Sequence, residues 1–436
     1  MRRAAATLLG AIVDRRTPMD GLTDDANGHP HYLALSSRDR ALVRAILLAA
    51  LRYRSRLEAV IAHRLERPLP ASARSLSHHL HVGAAQILLL DVPDRAAVDL
   101  AVEAAGADPR ARRFAPLVNA ILRRLGREKE KAVAWLQAEP PLPPDWLRDR
   151  LVDAYGDERT AAILVAHATL PALDLTVKAD PEAWAARLGG VRLPTGTVRI
   201  ADAPTPVPEM EGFAEGAWWV QDAAAALPAR MLGDVAGRRV LDLCAAPGGK
   251  TAQIAHAGGI VTAVERNGNR AERLRVNLDR LGLSAELIET DALDFEPTEP
   301  FEAVLLDAPC SSTGTIRRHP DVAWTKTAED VAKLADLQSR LLAAAARHVA
   351  PGGRLVFANC SILPEEGEDV TAAFLGARPD FELDPIAPNE LGDPMTTAAM
   401  VLPDGRLRTT PDMLPAKDPR MAGLDAFHAA RFVRTD

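Results

Sequence analysis

The sequence predicts a multidomain chain: an all-α bundle at the amino terminus, a small α/β unit, and an α/β domain built on a doubly wound parallel sheet. Three observations carry this. Residues 1 to about 130 show helical periodicity with no convincing strand between the segments. Pro140, Pro141, Pro143 and Pro144 then interrupt the chain as a stiff linker signal. From about residue 216, short apolar runs alternate with helical stretches, the signature of parallel strands joined by crossover helices. The length of 436 residues, at about 150 per domain, agrees with three units, placed at 1–135, 141–215 and 216–436.

The elements follow in order. Ala4 to Val13 is an apolar run flanked by arginines, and it is read as the buried face of a first helix. It is too short to cross a bilayer, and no small-residue cleavage site follows it. Ser36 and Ser37 can cap a helix that carries Leu42, Val43, Ile46, Leu47, Ala50 and Leu51, and Pro68 and Pro70 close that region. Further helices are expected around Leu80–Leu90, Ala96–Ala105 and Phe114–Leu125. The last is accompanied by basic residues: Arg110, Arg112, Arg113, Arg123, Arg124, Arg127, Lys129 and Lys131. His78, His79 and His81 are read as packing or surface histidines, because no partner stands at metal-ligand spacing.

In the small unit, Trp146–Tyr155 and the stretch after Glu158 are expected helices. Leu173–Val177 and Gly196–Ile200 alternate like strands. In the third unit the strand candidates are Arg239–Leu243, Ile260–Val264, Ala285–Ile288, Ala303–Leu306 and Arg354–Phe357. Arg270–Leu281 and Ala328–Val349 are expected helices.

Composition sets limits on the function. The chain is 47% hydrophobic and 25% charged, which excludes a disordered, collagen-like or multi-span membrane protein. Its 52 basic and 59 acidic residues give a formal charge of −7, so the sum does not advertise a nucleic-acid binder. The local distribution does. Arg110 to Lys131, then Arg317, Arg318 and His319, then Arg406, Arg408, Lys417 and Arg420 form three basic sets, expected to make a basic track on an otherwise acidic molecule. Three cysteines without a CxxC pair argue against zinc and fit a reducing cytoplasm.

In a doubly wound sheet, ligands meet the carboxyl ends of the strands. The first strand candidate ends in Cys244-Ala-Ala-Pro-Gly-Gly-Lys-Thr251, where two glycines let the backbone turn and approach a ligand. Glu265 ends the second, at the place for a carboxylate on a ribose diol. The dinucleotide fingerprint is absent. A nucleotide triphosphatase loop would need glycine where Cys244 stands. S-adenosylmethionine, with a ribose and no phosphate, fits what remains. The other cysteines also stand at strand ends, in Asp307-Ala-Pro-Cys-Ser-Ser-Thr-Gly314 and Asn359-Cys-Ser361. Cys244 is read as a small buried hydrophobe, and Cys310 and Cys360 as reactive. Carbon 5 of a pyrimidine is a poor nucleophile until a thiolate adds to carbon 6, while an acid near N3 stabilises the developing charge. A second thiol can assist expulsion of the first. Which cysteine does which is left open by the residues alone.

These strings resemble the RNA 5-methylcytosine methyltransferase family, in its bacterial ribosomal RsmB branch (also Sun or Fmu). Val220-Gln-Asp-Ala-Ala224, Glu365-Glu366 and Leu424–Phe432 add to the resemblance. Arg38–Val43 and Leu117–Arg123 are similar to the NusB-like RNA-binding domain of that branch. The resemblance implies a NusB-like bundle, a small RNA-binding subdomain and a Rossmann-like S-adenosylmethionine-dependent methyltransferase domain. It implies methylation of cytosine carbon 5 in 16S ribosomal RNA, with Cys360 as nucleophile, Cys310 aiding product release and Asp307 facing the base. Cys244, Ala245, Ala246, Pro247, Gly248, Gly249, Lys250, Glu265, Asp291 and Asp307 would hold the cofactor, with Arg270 beside them. The implied partner is ribosomal RNA or an assembling small subunit. A cytoplasmic monomer without metal or membrane attachment is expected.

Three departures stand out. Asn359 replaces the family's usual Thr. Leu175-Thr-Val-Lys-Ala179 replaces an Arg-Val-Asn string, so Lys178 is expected to take over a phosphate contact. Leu407–Asp412 lacks a histidine common after its proline. Competing readings are an RNA-binding factor with an inactive catalytic domain, and an amino-group methyltransferase. Intact Asp307, Cys310 and Cys360 disfavour the first, and Asp307-Ala-Pro-Cys310 in place of an Asn/Asp-Pro-Pro-Tyr string disfavours the second.

Overall fold

The computed structural model describes residues 1–70, 72–203 and 205–436. They divide into two units: Met1–Ala168 with Arg318–Thr327, and Thr169–Arg317 with Ala328–Asp436.

The first unit is helical, as its 3.6-residue periodicity predicts. Arg2–Arg15 opens it and buries Ala5, Leu8, Leu9 and Ile12. The run that imitated a targeting segment is therefore core. Ser36 caps Ser37–Arg52 by accepting a hydrogen bond from the Asp39 backbone N–H at 3.3 Å. Arg74–Leu89, Asp94–Gly106 and Ala115–Arg127 complete the expected set. Their inward faces join one cluster around Ile46, Leu47, Leu80, Ile87, Leu122 and Leu125. The three histidines are buried. His78 Nε2 meets Asp14 at 2.9 Å, and His79 Nε2 meets Asp108 at 3.3 Å. Burial drops His81 to about 3, so it stays neutral. Helix Asp145–Ala168 also belongs to this unit and breaks at Gly156, with φ 74°.

Arg318–Thr327 is a guest in the helical unit. Trp324 Nε1 donates to the Leu51 carbonyl at 3.1 Å, under the Arg54 guanidinium at 5.5 Å. Buried Asp321 accepts the Met19 N–H at 2.9 Å.

The second unit holds two sheets. Strands β1 (Leu173–Val177), β2 (Val191–Arg192), β3 (Val198–Ile200) and β4 (Trp218–Val220) form an antiparallel sheet in the order β2-β3-β1-β4. Asp174 and Arg199, both fully buried, face each other in a bidentate pair at 2.7 Å. The large sheet contains β5 (Arg239–Leu243), β6 (Ile260–Val264), β7 (Glu286–Ile288), β8 (Phe301–Asp307) and β9 (Val349–Asn359), all parallel, in the order β9-β8-β5-β6-β7. This is the expected doubly wound core, with β5 at its centre.

The sheet is mixed rather than all parallel. β10 (Phe381–Leu383), β11 (Leu407–Thr409) and β12 (Phe427–Arg434) extend it beyond β9, with β12 antiparallel to β9, β10 and β11. β12 escapes a hydropathy reading because its Arg431 is buried by neutralisation, with Asp384 at 2.8 Å and Glu390 at 2.5 Å. Among the described residues, no helix is long and apolar enough to cross a membrane.

Candidate active site

The carboxyl ends of β5, β8 and β9 meet at one edge. After β5 the chain bends at Cys244, whose φ of 61° is left-handed, and turns again at Gly248, φ 101°. A Cβ at Gly248 would stand 2.2 Å from Leu274 Cδ1, so this turn needs glycine for both space and conformation. Helix Gly249–His256 starts directly after it. Lys250 Nζ donates to Asp307 Oδ2 at 2.7 Å, tying the β5 loop to the end of β8. A cavity of about 380 Å³ opens here, and its lining includes Phe213, Gln221, Asp242, Pro247–Lys250, Arg280 and Asp307.

Glu265 ends β6, almost completely buried. Its Oε1 accepts the Asn267 N–H at 3.0 Å, and Oε2 has no hydrogen-bond partner. Arg270 Nη1 stands 3.5 Å from that oxygen, and Nη2 donates to the Ala246 carbonyl at 2.6 Å. Arg270 therefore braces both the carboxylate and the β5 loop. Asp291, beyond β7, accepts the Leu293 N–H at 3.0 Å and faces Arg266 at 3.6 Å. Glu265, Arg270, Asp291, Cys310 and Cys360 do not line the 380 Å³ cavity.

Asp242 was not anticipated. Its Oδ2 accepts from Thr251 Oγ1 at 2.6 Å, while its fully buried Oδ1 has no partner. Two buried carboxylate oxygens that accept no hydrogen bond, Asp242 Oδ1 and Glu265 Oε2 (the latter paired in charge with Arg270), suit a ligand carrying hydroxyl and ammonium groups, as S-adenosylmethionine does. The signal was present in the sequence, since Asp242 lies two residues before the glycine-turn string on the same strand.

Burial, with Asp307 adding to it, pushes the Asp242 carboxyl up to about 7 from an ordinary 3.8. Between those values the folded, cofactor-free chain holds a proton that the unfolded chain has lost, so stability falls as pH rises. Asp242→Asn cannot ionise. Its stability relative to wild type is expected to climb from about pH 4 to 7 and then level off. Urea unfolding at stepped pH reads this directly; a difference flat across that window would reject it.

The two remaining cysteines meet. Cys310 follows β8 and Cys360 follows β9, and their Sγ atoms lie 3.3 Å apart. The hydrogen bond with Cys360 and burial hold the Cys310 thiol well above its ordinary range. Burial pushes Cys244 up to about 12, so it remains a thiol. The loops are locked by backbone bonds from Ala308 N to Ala358 O (2.8 Å) and from Gly314 N to Cys360 O (2.9 Å). A Cβ on Gly314 would lie 2.3 Å from the Ala426 carbonyl oxygen and 2.7 Å from that of Cys360. Both obstacles are backbone. Gly314→Ala is expected to lower stability by about 2–4 kcal/mol in urea unfolding, with methyl transfer falling alongside.

Several expectations change. Arg317 is buried against Asp222 (3.4 Å) and Asp425 (3.5 Å), and Arg408 is buried against Glu368, so neither is part of a surface basic track. Arg406 pairs with Asp404 at 2.5 Å, and Arg420 pairs with Asp202 at 2.6 Å. Arg110, Arg112, Arg113 and Arg127 remain exposed. Lys178 Nζ donates to the Leu281 carbonyl at the end of a helix, so its charge is used internally. Asn359 is fully buried. It donates to the Glu366 carbonyl at 2.6 Å and accepts the Ser361 N–H at 3.0 Å, positioning the turn after Cys360.

The sheet, its glycine turn and the orphan carboxylates define an S-adenosylmethionine-dependent methyltransferase of Rossmann-like fold. Comparison with known proteins narrows this. Residues 229–432 match the 16S rRNA methyltransferase RsmB/F family and residues 1–127 match the NusB family. The chain is 37% identical over 400 residues to the ribosomal RNA small subunit methyltransferase B of Klebsiella pneumoniae, covering 88% of this chain and 91% of that one. The Xanthomonas campestris protein of the same name is 39% identical over 407 residues, with 88% and 90% covered. The chain belongs to the RsmB family of 16S ribosomal RNA methyltransferases. Among solved structures, a methyltransferase homolog protein from Pyrococcus horikoshii superimposes with a TM-score of 0.54 at 27% identity, covering 72% of this chain and 97% of that one. NSun6 from the same organism shares the fold, with a TM-score of 0.56 at 17% identity and 67% and 98% covered.

Proposed function

We propose that the protein methylates carbon 5 of a cytosine in 16S ribosomal RNA through a covalent bond between Cys360 and carbon 6. The observation that supports this reading is the sulfur pair 3.3 Å apart, on the loops that follow β8 and β9, with Asp307 as the last residue of β8. A nitrogen or ribose nucleophile needs no thiol. Cys360 adds as thiolate to carbon 6, and the pair of the 5,6 double bond moves toward carbon 5 and N3. Asp307, held by Lys250, takes up the proton that Cys360 loses, donates it to N3 as the charge develops there, and takes it back when the double bond re-forms. S-adenosylmethionine supplies an electrophilic methyl group when bound. Cys244–Lys250, Glu265, Asp291 and Asp307 would hold it, with Arg270 behind them. Carbon 5 takes the methyl and then loses its proton to water. The double bond re-forms, and the carbon 6–sulfur bond breaks. Cys310, kept as a thiol, donates S–H to the departing sulfur.

In this reading residues 1–135 and 141–215 engage RNA and residues 216–436 carry the chemistry, in a cytoplasmic monomer. The target is flipped from its stack to reach the sulfur pair. The test uses the full chain, methyl-labelled S-adenosylmethionine, and small-subunit RNA both naked and partly assembled. Nucleoside digestion is expected to place the label in 5-methylcytidine. Label in an amino-methylated base or a ribose would overturn the reading.

A further inference from the structure

Glu366 has a fully buried carboxyl group whose side-chain oxygens meet backbone, amide and hydroxyl donors rather than a cation among the described residues, in a place where a charge is costly. It is satisfied by four donors. Oε1 accepts the Ser311 backbone N–H at 2.8 Å and Gln338 Nε2 at 3.0 Å. Oε2 accepts the Ser311 hydroxyl and, at 2.6 Å, the Ser361 hydroxyl. Ser311 directly follows Cys310, and Ser361 directly follows Cys360. Thr313 Oγ1 closes the cage, 3.0 Å from Ser311 Oγ and 3.1 Å from Ser361 Oγ. Ser311, Thr313, Gln338, Ser361 and Glu366 are all fully buried. On the outer side, Arg408 Nη1 donates to the Ser361 carbonyl at 2.6 Å.

We propose that Glu366 is a positioning residue that sets the spacing of the two sulfurs, by clasping the residue after each cysteine with one carboxylate. Strands β8 and β9 bring the loops side by side, but each loop bends away from the ladder beyond Ala308 and Asn359. The carboxylate spans that gap. Polar residues after each cysteine are thereby explained: Ser311 and Ser361 serve the clasp, not the substrate. The proposal rests on the reading of Cys360 as nucleophile and Cys310 as release thiol, because only then does their spacing matter to the reaction.

Reach and charge can be separated. Glu366→Gln keeps the reach: its carbonyl can accept from Ser311 N and Gln338, and its amide can donate to the two rotatable hydroxyls. Glu366→Asp keeps the charge and loses the reach by one methylene. The full chain is treated with phenylarsine oxide under excess monothiol; the reagent loses water and forms two As–S bonds where two thiols lie together. Capture is read by mass, with Cys310→Ala as the control that abolishes it. Glu366→Gln is expected to capture like wild type and to keep kcat within about tenfold. Glu366→Asp and Glu366→Ala are expected to lose capture about tenfold and kcat roughly 100-fold, with the KM for S-adenosylmethionine unchanged.

Unchanged capture in Glu366→Asp overturns the clasp, as does damage in Glu366→Gln exceeding that in Glu366→Asp. If the shortened variants do not fold, the double variant Ser311→Ala with Ser361→Ala stands in; it must lower capture, and unchanged capture there also overturns the proposal. Capture involves no methyl transfer. Full activity of Cys360→Ala would therefore sink the covalent mechanism, while the arsenical judges the clasp alone.

Discussion

Cys360→Ala is expected to abolish methyl transfer, with kcat falling on the order of 10⁴-fold or more. Without sulfur addition at carbon 6, carbon 5 stays a weak nucleophile, and no other group at this edge replaces it. Cys244 is held as a thiol at about 12 by burial, and it sits on β5's loop rather than beside β9. Cofactor affinity is expected to stay within about twofold, because the orphan oxygens of Asp242 and Glu265 lie on other strands. Titration calorimetry with S-adenosylmethionine and single-turnover methylation of a ribosomal RNA fragment separate the two quantities. RNA carrying 5-fluorocytosine adds a direct view. Its carbon 5 has no proton to lose, so wild type should remain joined to it and Cys360→Ala should not. Retained methylation in the variant would end the mechanism.

Cys310→Ala is expected to do the opposite to the adduct. Its S–H lies 3.3 Å from the sulfur that must leave, and its thiol is held well above the ordinary range by that hydrogen bond and by burial. Removing it leaves the departing thiolate without a donor in a poorly solvated place. Each molecule should methylate once and stall. Multiple turnover is expected to fall about 10²–10⁴-fold while a first-turnover burst survives. A protein–RNA band resistant to denaturant, formed with ordinary cytosine, is the signature. A variant that turned over slowly with no such band would remove the release role.

Of the parallel strands, β5 and β8 were the most legible, because Val240, Leu241 and Leu243 and then Ala303–Leu306 are buried and spell short apolar runs. The strand-end edge was legible by counting: Cys244 and Cys360 directly follow β5 and β9, and Asp307 ends β8. β12 was not legible as a strand. Arg431 makes it look exposed until Asp384 and Glu390, more than 40 residues earlier, come to neutralise it. The same limit hid the fates of Arg317 and Arg408, whose partners are distant in sequence. Glu366 looks like half of a solvated acidic pair until Ser311 and Gln338 arrive from 55 and 28 residues away. Local pattern reports what a residue is; long-range donors decide whether its charge can be buried.

The guest segment Arg318–Thr327 has a consequence for synthesis. A ribosome finishes Ala168 about 150 residues before it reaches Arg318. At roughly 5–20 residues per second the helical unit waits about eight to thirty seconds for its last piece. During that interval the Leu51 carbonyl has no indole to bind and the Met19 N–H has no carboxylate. The amino-terminal unit is first to be made but is completed only after β8 and the Cys310 loop have left the ribosome.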